Sequence, residues 1–458
     1  MVEKEVVVVG GGPTGIAAGI AAARTGADTL LIERYGVLGG MATLGLVNHW
    51  DSITLMEITG IAREVYENMK KRDGLLEFPY EKIEMPFTYW EAGCGFDLEA
   101  YKQMLMEMVQ EAQVGLLLHT FATAAIREGG RVIGLEIQSK TGKQEIRSKA
   151  FVDATGDADI AAFAGAPFQK GAESGELMAP TLCFTVGGVD TEKLRQYLKN
   201  NPDELGLHPR LGKFIRNVDA SSIWQGFRKL IDQARANGDL TIPLPEQGIG
   251  TVRLPTPGYF HVNVTHAPGI DGTKGESLTQ GEISERKGVT HVFSFMKKYI
   301  PGYEKSYLAQ TGIQIGIRET RRVKGDYYLT VEDLKQAKEF DDVIMQGRWA
   351  HQDIHSGRPA QHDEDTTEWI FELIEGPYQV PYRCLLPQQV ENLIVGGRSI
   401  WTDRQVNGTL RCQPICMATG QAAGVAAALS AKRGVGLREL DVPEIQRVLR
   451  EQGVHLKT

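Results

Sequence analysis

The chain has 458 residues, a formal net charge of −8, and 42% hydrophobic against 24% charged residues, the balance of a globular protein of about two or three folding units. Its 52 glycines follow no fixed period, which excludes collagen. The acidic balance and the lack of any like-charge block argue against a general nucleic-acid binder.

Residues 5–33 predict strand, glycine turn, helix and strand. Val6–Val9 is a β-branched run suited to burial on both faces. Gly10-Gly11-Gly12-Pro13-Thr14-Gly15 is the turn, Ile16 to Thr25 an alanine-rich helix capped by Gly26, and Thr29 to Ile32 a strand ending at Glu33. Residues 41–95 are broken by Pro79, Pro86 and aromatics. Asp97 suits the N-cap of a helix from Leu98 to Gln113. Leu116 to Leu118 is a short strand. Ala122 to Arg127, Arg131 to Gln138 and Gln144 to Ser148 read as a β-meander, and Ala150 to Ala154 as a further buried strand closed by Thr155-Gly156-Asp157.

The middle, about 166–385, is less periodic. It predicts partial helix over Arg210 to Asn237, a strand at His261 to Thr265 and a helix over Gly281 to Lys298. Asn392 to Val395 then runs as an apolar strand into Gly396-Gly397-Arg398, and Met417 to Ala431 is a small-residue helix that can pack very close to a neighbour. The expected architecture is α/β: a Rossmann-like domain of parallel sheet plus β-meander, with an inserted mixed α+β domain. The expected Rossmann-like unit takes residues 1–50, 96–165 and 388–458; the inserted cap takes 51–95 and 166–387.

Gly10-x-Gly12-x-x-Gly15 follows a strand and opens a helix, the context that gives this pattern its meaning. Gly10 permits the turn, Gly12 admits a pyrophosphate to the backbone, and Gly15 allows close helix–strand packing; the first helical N–H groups and the positive dipole end face the phosphates. Glu33, eighteen residues past Gly15, suits a ribose hydroxyl and repels a 2′-phosphate. Three features favour FAD over NAD: Gly39-Gly40-Met41-Ala42-Thr43 just after Arg34, Asp153-Ala154-Thr155-Gly156-Asp157 at a later strand end, and the C-terminal Gly-Gly-Arg turn with its alanine helix.

With these passages, and with Gly316-Ile317-Arg318-Glu319-Thr320-Arg321-Arg322, Pro381-Tyr382-Arg383, Val395-Gly396-Gly397-Arg398 and Gly420-Gln421-Ala422-Ala423-Gly424, the chain resembles FAD-dependent oxidoreductases of the glutathione-reductase-type fold. The resemblance extends to the branch holding fumarate reductase and succinate dehydrogenase flavoproteins. It implies FAD held by Gly10, Gly12, Pro13, Thr14, Gly15, Glu33, Arg34, Gly40, Met41, Ala42, Thr43, Thr155, Gly156, Asp157, Gly397 and Arg398, and a backbone contact from Ala122 to the adenine. Gly420, Gln421 and Ala422 are expected to face the flavin from a helix starting near Pro414 to Met417. No second glycine fingerprint marks a nicotinamide domain.

Chemistry beyond the flavin falls to four candidates. Arg318 suits a carboxylate, against a purely structural Arg–Glu network. His355, beside Asp353, suits a general base. Asn263 or His261, on one expected strand and loop, is a candidate to contact substrate, and Arg411 or Asn407 a candidate to face cofactor or substrate. Tyr89, Trp90 and Cys94 are cavity candidates, with aromatic core as the alternative. No metal-ligand spacing is present, and the scattered cysteines Cys94, Cys183, Cys384, Cys412 and Cys416 suit a reducing compartment and buried structural roles.

The expectation is a flavoprotein oxidoreductase acting on a small polar molecule, with its electron acceptor open. The rivals are an FAD enzyme without net redox (isomerase or hydratase), a flavin-binding sensor and a plain NAD dehydrogenase. With no secretory leader and no apolar run of membrane-spanning length, the cytoplasm is the expected location, without nucleic-acid or integral membrane partners; the sequence leaves the oligomeric state open.

Overall fold

The computed structural model describes residues 2–50, 58–77, 94–205, 223–244, 248–350, 353–355, 367–369 and 374–456. Tyr89 and Trp90, the segment before residue 223 of the expected Arg210–Asn237 helix, and the side chain of Asp353 lie outside the described residues.

The first sheet grows from β1 (Val2–Val9), which pairs in parallel with β2 (Thr29–Ile32) on one side. Between them runs α1 (Pro13–Arg24), with Gly12 as N-cap and Pro13 at its start, where the missing N–H costs nothing. The side chain of Asp97 caps α2 (Leu98–Glu111) by accepting from Ala100 N–H. Next come β3 (Gly115–Leu117), parallel to β2, and the meander strands β4 (Phe121–Glu128) and β5 (Arg131–Ser139).

The two strands expected over 144–154 are one continuous strand, β6 (Gly142–Asp153). One edge lies parallel to β1 from Ile146 to Asp153. The other meets β5 antiparallel over its first half, then β7 (Leu393–Val395) in parallel over its last three residues. The polar pair Ser148-Lys149, which suggests a break, sits mid-strand. Ser148 Oγ donates to Glu5 O at 3.0 Å and Lys149 pairs with Glu5.

The glycine- and alanine-rich helix is α3 (Gln413–Arg433), starting four residues earlier than expected. It is long and apolar enough to cross a membrane, unlike the sequence expectation, but 94% of its apolar window is buried inside the fold. Its neighbour is α1. A Cβ at Gly420 or Gly424 would stand closer than 3.0 Å to the carbonyl oxygens of Thr14 and Ala18, so bare backbone on both helices allows the contact.

The second sheet is antiparallel, in the spatial order β9–β10–β11–β8–β12: β8 (Phe184–Gly187), β9 (Ile223–Gly226), β10 (Ile249–Arg253), β11 (Phe260–Asn263) and β12 (Tyr307–Thr311). A long helix, α4 (Gly275–Tyr299), contributes Val289, Val292, Phe295 and Met296 to the core beneath it. Core membership does not follow the expected cap boundaries. Ile61, Val65, Val323, Leu329, Tyr378, Tyr382 and Leu386 all pack into the core of the first sheet, and the separate core gathers residues 182–315.

Candidate functional site

One cavity of about 470 Å³ opens at the C-terminal ends of β1, β2 and β6, lined there by Val9, Ile32 and Ala154, and extends to the second sheet. Parallel strands end there with side chains spent on the core, so the loops beyond them are free to meet a ligand. Gly10, Gly12, Pro13 and Thr14 line it. Gly10 has φ +106°, and a Cβ at Gly10 or Gly15 would fall closer than 3.0 Å to backbone, so both residues shape the turn; Gly15 does not reach the cavity. Gly12 differs. A Cβ there would meet only Gly40 Cα, at 3.7 Å. Its surroundings are therefore open on the cavity side, at the N-terminus of α1, as a diphosphate needs.

Glu33, buried at the end of β2, accepts from Gly11 N at 2.6 Å and Tyr35 N at 2.8 Å and lines the cavity. Beside it Arg34, Thr120, Phe121 and Ala122 form one end. Phe121 is 53% exposed, and the Arg34 guanidinium stands 5.7 Å from its ring centroid. Thr155, Gly156 and Asp157 also line the cavity. Asp153 orients that turn: it accepts from Thr155 Oγ1 at 2.7 Å and from Ala161 N at 2.8 Å, and burial pushes its carboxyl up to about 6. Asp157 Oδ1 accepts from Arg398 Nη2 at 2.8 Å and Thr320 Oγ1 at 2.9 Å. Gly40, Met41 and Arg398 complete the expected cofactor residues that reach the cavity. An open glycine at a helix start, an acidic residue at the second strand end and an exposed aromatic beside an arginine fit an FAD.

Six expected cofactor residues besides Gly15 lie elsewhere. Ala42 and Thr43 are buried and do not line the cavity; the Thr43 hydroxyl donates to Leu38 O at 2.8 Å. Gly397 N–H donates to Thr419 Oγ1 at 3.0 Å, packing against Thr14. Gly420, Gln421 and Ala422 are two turns too deep in α3. A rise of 1.5 Å per residue puts residue 420 about 10 Å beyond the helix start. Gln421 instead holds the start of the helix Gly60–Lys71, accepting from Ile61 N at 3.0 Å. The first turn of α3 does reach the cavity, through Gln413 and Cys416, with Arg411 just before it.

Of the four chemistry candidates, Asn263, Arg318 and Arg411 line the cavity and His355 does not. The His355 ring lies 6.0 Å from that of His266, and its carbonyl accepts from Ala179 N at 3.4 Å. Arg318 Nη1 donates to Ala179 O at 2.6 Å and Thr181 Oγ1 at 2.7 Å. The other charged residues of its motif are structural: Glu319 and Arg322 form a buried pair joined by Arg404, while Arg321 reaches Asp157 O at 2.7 Å and Asp159 at 2.8 Å. His261 lies behind the wall against His49, ring centroids 4.7 Å apart, and burial holds its pKa well below the usual 6.5. Asn407 turns its amide to Arg398 O at 2.6 Å, and Cys94 is buried in a short strand away from the cavity.

The sequence reading missed Thr181, Cys183, Gln314, Ile315, Gln413 and Cys416 as cavity residues. Gln314 and Ile315 directly precede the arginine motif, and Gln413 and Cys416 follow Arg411, so proximity to those motifs was the available signal; Thr181 and Cys183 carry none. Burial pushes the Cys183 thiol up to about 12 and Cys416 up to about 11, so both stay protonated at neutral pH and contribute shape rather than nucleophilicity. Among the described residues no cluster of three His, Cys, Asp or Glu side chains could hold a metal.

Digeranylgeranylglycerophospholipid reductase 2 of Methanopyrus kandleri is 31% identical over 201 residues, 42% of this chain and 46% of that protein. Digeranylgeranylglycerophospholipid reductase 1 of the same organism is 29% identical over 167 residues, 34% of this chain and 40% of that protein. The match thus spans less than half the length of either relative. Among solved structures, p-nitrophenol 4-monooxygenase PnpA from Pseudomonas putida DLL-E4 superposes with a TM-score of 0.51 at 12% identity, over 99% of this chain and 89% of that one, which is a likeness of fold. Neither curated relative is named for the fumarate reductase and succinate dehydrogenase branch, so the comparisons support the family without singling out that branch. The family described as FAD dependent oxidoreductase matches residues 5–449, and the chain belongs to it.

Proposed function

We propose that the protein transfers a hydride between flavin N5 and a small organic substrate. One observation carries this reading: Asn263, Arg318 and Arg411 line the same continuous cavity as the glycine cradle of α1. Bound there, FAD supplies the two-electron chemistry that no side chain can. The chain's own groups do the rest. Arg318 and Arg411 bind and orient an oxygen-bearing group, Asn263 offers an amide for a further hydrogen bond, and the N-terminus of α3 presents its positive end to developing negative charge. Leu44, Val47 and Ile315 exclude water from the space between. The division into a discontinuous FAD unit and an inserted substrate unit belongs to the same reading. So do a small-molecule partner, a separate electron acceptor and a cytoplasmic site of action.

Anaerobic mixing of the yellow protein with candidate hydroxy and unsaturated acids tests the proposal. Lasting loss of the oxidised flavin absorbance is the expected result. Turnover with an unchanged spectrum favours the isomerase or hydratase reading. Absence of any response, together with wild-type behaviour of Arg318→Ala, favours the sensor.

A further inference from the structure

We propose that the substrate arm of this cavity takes an amphipathic monocarboxylic acid, its carboxylate at Arg318 and Arg411 and its apolar body along Val47, Ile315, Ile317 and Leu278. This rests on the reading of the cavity as the flavin-side substrate site.

The charge on the arm comes from Arg318, Arg411 and Glu282. Glu282 is committed to the protein: one oxygen accepts from Ile315 N at 2.7 Å and the other pairs with Arg286 at 3.0 Å. The carboxyl of Glu285, near Arg318, is raised by burial and accepts from Leu182 N–H at 3.2 Å; as a carboxylate it balances one arginine and leaves the other. The field at the Arg318 end is therefore positive and suits one anion.

Away from Arg318 the lining changes character. Gly272, Leu278, Ile315 and Ile317 also line the cavity; the three apolar side chains belong to one cluster, Gly272 packs on Ile317, and none of the four is a cation. A second carboxylate at this end would lose its hydration against leucine and isoleucine and face Glu282, so a dicarboxylate fits badly. An alkyl or ring body fits well.

The apolar surface continues outward. Residues 312–317 form a strap along α4, pinned by Arg286 donating to Gly312 O and Ile313 O, each at 3.3 Å. Ile313 on the strap is 57% exposed and Ile283 on α4 is 48% exposed. A substrate whose body outgrows the arm would pass onto this isoleucine surface.

The test titrates the flavin-loaded protein with acetate, butyrate, hexanoate and octanoate, and with succinate and glutarate. Calorimetry and the flavin absorbance are both followed. The dissociation constant is expected to fall about three- to fourfold for each methylene that enters the apolar arm. Succinate and glutarate should bind no more tightly than acetate and butyrate. Ile317→Ser should flatten the chain-length series while leaving acetate unchanged, and Arg318→Gln should weaken every acid about tenfold or more without changing the slope. A flat series, dicarboxylates tighter than octanoate, or an Arg318→Gln variant with unaltered affinities overturns the inference. Colourless protein that takes up no flavin on reconstitution overturns the cofactor reading instead, and calorimetry reads the acid series in either case.

Discussion

Gly12 offers a perturbation that separates cofactor binding from folding. Its backbone is extended, with φ −77° and ψ −175°, so alanine adopts it without strain. A methyl there meets only Gly40 Cα, at 3.7 Å, an ordinary contact. In the free protein, losing glycine as an N-cap costs up to about 1 kcal/mol, and the stiffer unfolded chain returns about 0.4–1 kcal/mol. Gly12→Ala should thus leave the apoprotein within about 1 kcal/mol of wild type. The same methyl occupies the space through which a diphosphate reaches the amides of α1. Losing one charge-assisted hydrogen bond there costs about 1.5–3 kcal/mol, or about ten- to 150-fold in FAD affinity. The assay is FAD titration of apoprotein by flavin fluorescence, alongside urea unfolding of the same apoprotein. An FAD affinity within about threefold of wild type, or an apoprotein so unstable that the whole loss follows from unfolding, would refute the reasoning.

The opposite outcome is expected at Gly424. A Cβ there falls closer than 3.0 Å to Ala18 O, so Gly424→Ala must part α1 from α3. It should cost about 1–3 kcal/mol in denaturant unfolding despite alanine's better helix propensity; a stability equal to or above wild type would contradict the close approach. His261 should make the protein acid-sensitive. Its folded pKa lies well below 6.5, so the unfolded chain takes up a proton near 6.5 while the folded chain does not. Stability then falls by about 1.4 kcal/mol for each unit of pH below that value, until the folded pKa is reached. Urea midpoints at about pH 6.5 and 5.5 should drop further for wild type than for His261→Asn, and equal drops in the two proteins would remove His261 as the cause.

The first βαβ unit was legible in its order and its turn because local rules dictate it, although β1 begins at Val2 and α1 at Pro13, each a few residues before the expected start. A β-branched run, a proline at N1 and glycines at a turn leave few alternatives for residues 5–33. The N-terminal edge of the site was legible for the same reason. β6 was misread because its polar middle resembles a turn, and only its neighbours on both edges hold it straight. Strands β8 to β12 were mostly hidden. They are four or five residues long, separated by long connections, and paired by tertiary contacts that leave little periodic trace. Gln421 shows a further limit. A polar residue in an alanine helix signals a partner but not which face it occupies, and here the partner is a helix start rather than a flavin.

The glycine-mediated contact between α1 and α3 imposes an order on biosynthesis. The phosphate loop at residues 10–15 is made long before Gly420 and Gly424, which close against Thr14 and Ala18. Until they emerge, Ile16, Ala17 and Ile20 lack the neighbour that buries them. Cofactor capture is therefore a late event. A chain stalled before residue 413 carries the whole fingerprint but has no floor beneath it, and surplus flavin cannot supply one.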